Sequence, residues 1–325
     1  MLAAYQPNEE LFRRQLLSIA NQTHSDFTCL VTCDGDSQRI AQLVESTLPG
    51  DDRFRILGFD DRLGYYKNFE RGLSYVEPNA SWVALSDQDD YWYPGKLEKL
   101  LPFLRDHLLV SGQARVVTDS GQILAPSTAR RTVSLQQLVI QNQVTGGLSV
   151  FRRELLDLAL PFPELNVLTQ NHDHWLAVCA CSIARILILD EVVQDYVQHG
   201  ANVIGEAMNR FNPVRSIRRA LELSRLYEGG AGPIKILNMI SRMTFGWALK
   251  MLTDVESRVS IRTPEFQLAM NTFGSSTSGN RILRPLFDGL CNRDVHYGMA
   301  VTWFVGIARA AAVKEKLMEK RSESR

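Results

Sequence analysis

Over its first 110 residues the chain alternates short apolar runs with longer segments of helical spacing, and that rhythm leaves few folds open. Phe27–Cys33, Phe54–Gly58 and Trp82–Leu85 read as strands. Glu9–Asn21, Gln38–Thr47, Tyr65–Val76 and Pro94–His107 read as helices; in the first, Leu11, Phe12, Leu16 and Ile19 share a face and Asn8 is the N-cap. Such alternation predicts a mainly parallel sheet joined by right-handed crossovers. Ligands of such sheets bind outside the carboxyl ends of the strands. The strand Trp82–Leu85 ends in Ser86 and then in the carboxylates Asp87, Asp89 and Asp90, before Pro94 opens a helix. Two carboxylates one residue apart can hold a hard divalent cation, and the cation a diphosphate. Taken alone, the cluster reads more simply as a helix cap and a solvated loop.

Farther along, Arg115–Leu124 reads as a hairpin turning at Asp119-Ser120-Gly121, Leu148–Phe151 as a strand and Arg152–Leu160 as a helix. Asp173–Ile183 follows as a helix, then strands at Ile186–Leu189 and Val192–Val197. Beyond Gly205 the texture turns helical, with helices expected over Val214–Tyr227, Pro233–Leu252, Pro264–Phe273 and His296–Glu319. Glycine-rich joints stand at Gly229–Gly232 and Gly274–Gly279. The stripe Ile234, Leu237, Ile240, Met243, Phe245, Trp247, Met251 fits a core face or a face lying on a membrane.

Zero net charge hides an asymmetry. Residues 1–205 hold 17 Lys and Arg against 25 Asp and Glu, while residues 206–325 hold 19 against 11. A basic tail of this kind suits an anionic membrane surface, or a helical domain docked on the acidic one. Basic residues are not gathered into a nucleic-acid motif, so no nucleic-acid partner is expected. Met1–Pro7 lacks the basic start and apolar core of a signal peptide. No run reaches the roughly 18–20 apolar residues of a spanning helix. The five cysteines lack zinc spacing and read as buried thiols of a reducing cytosol. The expected location is cytoplasmic, with peripheral contact at the inner face of the cell membrane.

Several segments, in order, resemble the family 2 glycosyltransferases. Asp87-Gln-Asp-Asp-Tyr-Trp-Tyr-Pro94 is similar to the family's D-x-D segment, and Cys33-Asp34-Gly35-Asp36-Ser37 to its D-D-G-S turn. Leu63–Phe69 resembles N-x-G-x-x-x-N; Ala4–Asn8 resembles the tail of the first strand, and Gln15–Thr23 the helix after it. Thr145-Gly146-Gly147, His172-Asp173-His174-Trp175 and Tyr196–Asn202 match acceptor-side and closing motifs. The likeness covers residues 2 to about 205 and extends to a bacterial branch that includes rhamnosyltransferases of surface-polysaccharide synthesis.

The resemblance implies an α/β GT-A fold, a mostly parallel Rossmann-like sheet, in residues 1–205, with a helical C-terminal extension in 206–325. It implies an inverting transfer from a UDP- or dTDP-linked sugar, rhamnose included, to a hydroxyl of a saccharide or lipid-linked acceptor. Asp89 would be the direct ligand of Mn²⁺ or Mg²⁺, and Asp87 would touch the ribose or a metal-bound water. His199 matches a position near the metal and diphosphate, and reads equally as a surface histidine. Ala4, Tyr5, Asp34, Gly64 and Asn68 would line the nucleotide; Asp34 would accept from a base N–H or a ribose hydroxyl, or simply make an Asp-Gly turn. Asp173 would be the general base, or a helix cap, and protonated His172 and His174 would lower its pKa. Gly146, Gly147, His172, His174 and Trp175 would face the acceptor, with Trp175 stacking on a sugar or buried in the core. Two departures stand out. The family's first strand starts several residues before Ala4, so a shortened strand or an upstream start is expected, and the first Asn of N-x-G is Arg62. A catalytically impaired scaffold of the same fold is the rival reading.

Overall fold

A computed structural model describes residues 1–198, 213–274, 279–307 and 309. The described residues form two compact units: Met1–Thr132 with Gln143–Phe162 and 184–198, and Val133–Asn142 with Pro163–Ile183 and the residues from 213 onward. None of the described helices is long and apolar enough to cross a membrane.

The first unit follows the alternation of its sequence. β1 (Leu2–Ala4), β2 (Cys29–Cys33) and β3 (Phe54–Leu57) pair in parallel, with Leu2 opposite Val31 and Cys29 opposite Phe54. The helices α1 (Glu9–Ala20), α2 (Ser37–Thr47) and α3 (Tyr65–Ser74) provide the crossovers. β4 (Trp82–Ala84) then returns to the far side of β1, through a parallel bridge between Leu2 and Ser86. Met1 N donates to Ala84 O at 2.8 Å, Ser86 N to Met1 O at 2.9 Å and Ala3 N to Ser86 O at 3.1 Å. The resulting order 3-2-1-4 reverses direction between β1 and β4, the kind of switch point that opens a crevice at the strands' carboxyl ends.

Past β4 the sheet becomes mixed. β5 (Tyr91–Trp92), β6 (Leu109–Thr118), β7 (Ile123–Ala125), β8 (Ser149–Arg152) and β9 (Ile186–Gln198) complete the order β4-β8-β6-β9-β5, with β7 on β6. The β6–β7 hairpin turns at Gly121 with φ +84, as Asp-Ser-Gly predicts. Among these strands only β6 and β9 pair in parallel. α1, α2 and α4 (Lys96–Leu100) close a core in which Leu2, Phe12, Leu16, Val31, Ile40, Leu100, Val110 and Val150 are 0% exposed. β9 is one strand where two were expected, because register shifts against β6 between Ser111 and Ala114 absorb the polar Asp190-Glu191 step. Glycine at 112 allows that approach. α6 (Leu155–Ala159) follows β8 and is shorter than its apolar pattern predicts.

The second unit is helical: α5 (Leu135–Ile140), α7 (His172–Ile183), α8 (Pro213–Glu228), α9 (Pro233–Ser241), α10 (Trp247–Arg258), α11 (Pro264–Phe273), α12 (Gly279–Cys291) and α13 over residues 297–307. The expected helix Pro233–Leu252 is interrupted by a π turn at Arg242–Gly246. Its apolar stripe divides accordingly: Trp247 and Met251 are buried, whereas Ile234 is exposed. The sequence reading put α7 with residues 1–205, but it packs with α5, α10 and α11. Trp175, Ala177, Val178, Cys179 and Ala180 are all 0% exposed, so the helix needs neighbours on every side. That also explains why Cys179 and Cys181, on different faces, are both buried, whereas Cys291 is exposed, contrary to the reading of all five thiols as interior.

A Cβ at Gly112 would stand 2.7 Å from Val193 Cγ2 and 3.0 Å from Glu191 O. Gly112→Ala is expected to cost about 1–3 kcal/mol by overpacking, read as a lower urea midpoint. An unchanged midpoint would show that the shifted pairing relaxes freely.

Candidate active site

At the switch point the carboxyl ends of β1, β2 and β4 meet, and the turn Asp87–Asp90 leaves β4 there. Each side of that turn is anchored. Ser86 is buried; its hydroxyl accepts from Gln15 Nε2 at 2.8 Å and donates to Asp87 O at 2.8 Å. Gln88 clamps β1: Tyr5 N donates to its Oε1 at 2.7 Å, and its Nε2 donates to Tyr5 O at 3.1 Å. The Tyr5 ring is covered by Arg62, whose guanidinium lies 4.3 Å from the ring centroid. Arg62, the departure from the family pattern, is therefore held at the site by an aromatic face.

Asp90 does not cap a helix. α4 is preceded by Gly95 without a side-chain cap, and Asp90, 1% exposed, accepts from Gln194 Nε2 at 2.9 Å and Val197 N at 3.1 Å. Gln194 Oε1 in turn accepts from Lys96 Nζ at 2.7 Å. Lys96 is 0% exposed, donates also to Gly147 O, and sits 3.7 Å from the Trp92 ring centroid. Burial pulls the Lys96 ammonium well below its ordinary value, against the opposing pull of Asp90 and Asp87. Burial, then the neighbouring carboxylates of Asp87 and Asp89, pushes Asp90 well above the carboxylate range. Gly147 is packed on the same cluster: a Cβ there would meet Asp87 Oδ2 at 3.3 Å, Gln194 Nε2 at 3.4 Å and Asp90 Oδ2 at 3.5 Å. Gly146 and Gly147, expected on the acceptor side, are both buried in the short 3₁₀ turn before β8.

The β2 end is held by Asp34. Its carboxylate, 2% exposed, accepts from Leu63 N at 2.7 Å and Gly64 N at 2.9 Å, with Arg71 at 3.4 Å. These bonds turn it toward the chain's own loop, not outward to a base or ribose. They hold Gly64 at φ +84, ψ 160, backbone that glycine alone adopts easily. Asn68, 1% exposed, is likewise internal: Nδ2 donates to Thr32 O at 3.2 Å, and Oδ1 accepts from Thr32 Oγ1 at 2.9 Å and Arg71 at 3.1 Å. Arg71 donates as well to Cys33 O at 2.8 Å and stacks 4.0 Å from the Phe59 ring centroid. Ala4 is buried at the end of β1, where its carbonyl accepts from Asp34 N at 2.8 Å.

The residues expected at the acceptor divide between the units. Asp173 lies in the first turn of α7, where its Oδ1 accepts from Asn142 Nδ2 at 3.0 Å and His174 N at 2.6 Å. Burial lowers His172 to about 3 and lowers His174 as well, so near neutral pH both imidazoles are uncharged and do not lower the Asp173 pKa as protonated neighbours. The His174 ring Nε2 lies 2.8 Å from Leu138 O, which makes that nitrogen the donor in the neutral ring. Trp175 is 0% exposed with Arg258 5.3 Å from its ring centroid; it is core and presents no face to a sugar. His199 lies outside the described residues. Lys96, Gln194, Gln88 and Arg71 escaped sequence reasoning, since a lysine inside a helical pattern or a glutamine on a strand looks like a solvated residue.

Hard oxygen donors at Asp87 and Asp89 suit Mg²⁺ or Mn²⁺. A divalent cation there would offset their negative charge beside the buried Asp90. Among the described residues no set of three Asp, Glu, His or Cys ligands is assembled.

A model described as glycosyl transferase family 2 matches residues 2–158. Over that stretch the chain is similar to the family 2 glycosyltransferases. It is 20% identical over 201 residues to an uncharacterized glycosyltransferase of Methanocaldococcus jannaschii, covering 60% of this chain and 69% of that one. It is 26% identical over 208 residues to an uncharacterized glycosyltransferase of Nostoc sp., covering 58% of this chain and 61% of the other. The crystal structure of S. aureus TarS residues 1–349 in complex with UDP-GlcNAc superposes with TM-score 0.53 at 15% identity, covering 97% of this chain and 91% of that one. That likeness is one of fold, and the fold is GT-A.

The histidines of α7 give the chain a pH signature. With the folded pKa of His172 at about 3, the unfolded chain binds the extra proton between about 6.5 and about 3. Stability is full above about pH 6.5 and falls with pH through that window, by up to about 1.4 kcal/mol per pH unit per histidine. Urea midpoints measured from pH 7 to pH 4.5 should drop, and His172→Gln should flatten the slope. An unaltered slope in that variant would remove His172 from the effect.

Proposed function

We propose that the chain is an inverting, metal-dependent glycosyltransferase that moves a sugar from a nucleoside diphosphate to a hydroxyl of a saccharide or lipid-linked acceptor in surface-polysaccharide synthesis. The observation that carries the reading is the anchored Asp87–Asp90 turn at the sheet's switch point. The family match over the same strands supports it.

Asp89, with Asp87 beside it, would hold Mg²⁺ or Mn²⁺, which when bound supplies Lewis-acid neutralisation of the leaving diphosphate. Gln88 and the Asp90–Gln194–Lys96 network keep the two carboxylates from moving as charge develops, the preorganisation that electrostatic catalysis needs. Ala4, Tyr5 and the Gly64 turn would receive the nucleotide. Asp34 and Asn68 act on it indirectly, by fixing that turn. Arg62 on the Tyr5 ring adds a cation where the nucleotide would lie.

In the transfer step the acceptor oxygen attacks the anomeric carbon opposite the diphosphate. The carbon–oxygen bond to the diphosphate breaks, its electron pair leaving with the phosphate oxygen, and the hydroxyl proton passes to the Asp173 carboxylate. A single displacement inverts the anomeric centre. Asn142 and the His174 N–H orient that carboxylate. UDP- and dTDP-sugars, dTDP-rhamnose included, are the donors to test first.

Asp173→Asn is expected to lower transfer about 10²- to 10⁴-fold while leaving nucleotide affinity unchanged. Transfer equal to the parent's would take the base role from Asp173. In calorimetric titrations with UDP and dTDP, Asp89→Ala should weaken Mn²⁺-dependent binding by at least roughly 10- to 100-fold. Metal-dependent affinity that survives the substitution would move the ligand elsewhere, and no nucleotide binding by the parent chain would favour the scaffold reading.

A further inference from the structure

Consecutive helices of the second unit leave apolar side chains outside. On α12, Leu283 is 38% and Phe287 65% exposed, at i and i+4 of one face. On α13, Tyr297, Val301 and Phe304 are 68%, 38% and 49% exposed, at i, i+4 and i+7. The adjoining faces are core: Ile282 and Leu286 are 0% exposed and Trp303 is 2%. Both helices lay that inner face on α5. Gln137 Nε2 donates to Pro285 O at 2.6 Å, and Trp303 Nε1 donates to Ile140 O at 2.9 Å. The turn between them folds back, with Asp294 N at 2.8 Å and Val295 N at 3.0 Å from Gly289 O. Both helices thus rest on the same short helix, with their exposed apolar residues away from it.

The charge around that face is mainly positive. Arg281, Arg284 and Arg293 are exposed, and Asp288 pairs loosely with Arg284 at 3.8 Å. Arg281 also reaches Asn271 O at 3.0 Å, and Asp294 and His296 lie in the turn. Exposed Phe, Tyr and Leu interleaved with arginine are what a helix needs to lie in the headgroup region of an anionic bilayer. A second copy is the poorer occupant, since a self-contact would bring two mainly positive faces together.

We propose that the α12–α13 face is a membrane-docking surface that seats Leu283, Phe287, Tyr297, Val301 and Phe304 in the interface of an anionic lipid bilayer. It does not depend on the transferase reading, because docking is measured without donor or acceptor.

The test is flotation of the full chain with vesicles of phosphatidylcholine alone and of phosphatidylcholine with phosphatidylglycerol. Binding is expected to the anionic vesicles, weakened by 500 mM salt on the order of tenfold. Phe287→Ser with Phe304→Ser should lower vesicle affinity by at least about tenfold, with the circular dichroism spectrum retained. Arg284→Glu should lower only the preference for anionic lipid. No flotation with either vesicle, or equal flotation of the parent and the double variant, overturns the proposal. A concentration-dependent dimer abolished by the double variant would also overturn it and give the face to a second copy.

Discussion

One buried lysine ties the first unit's site together. Lys96 Nζ, 0% exposed, reaches Gly147 O and Gln194 Oε1 and lies against the Trp92 ring, while Gln194 passes the connection to Asp90. A single side chain thereby links α4, the turn before β8, β9 and the acidic turn after β4. In a low-dielectric interior each of these bonds is strong and each missing partner is costly, so the cluster admits one arrangement. The acidic turn inherits its position from that arrangement.

The rest of the crevice is braced by the same means. Gln88 binds both backbone groups of Tyr5, Asp34 binds two consecutive amides of the Leu63–Gly64 turn, and Arg71 gathers Cys33, Asp34 and Asn68. Several polar residues that the family pattern marks are therefore internal to the protein. They define the shape of the crevice, beside which stand the Tyr5 ring with Arg62, the Gly64 turn and the Asp87–Asp89 pair. A site rigid before its ligand arrives loses less on binding and keeps its dipoles aimed as charge shifts.

The second unit shows how burial alters chemistry without altering composition. His172 and His174 flank Asp173 in sequence and look like a charged trio. Burial keeps both rings neutral, and Asn142 and a main-chain amide hold the carboxylate. Trp175, two residues after the candidate base, is core because α7 has no outward face. The same unit exposes aromatic residues on α12 and α13.

The sequence by itself determined the α/β architecture of the first unit, because strand and helix periods are local and need no partner to be recognised. It also marked the acidic turn, which follows from a strand ending in carboxylates before a proline, and the hairpin at Gly121, where a positive φ demands glycine. Tertiary structure alone decided what each polar group does. Asp34 and Asn68 face inward, Asp90 binds β9 instead of capping α4, and Lys96 is buried. It alone also decided that α7 packs with the later helices and that β9 runs unbroken past Asp190 and Glu191. The reason is physical: a polar side chain's role depends on which distant group shares its low-dielectric surroundings, and Lys96 meets Gln194 across 98 positions of chain.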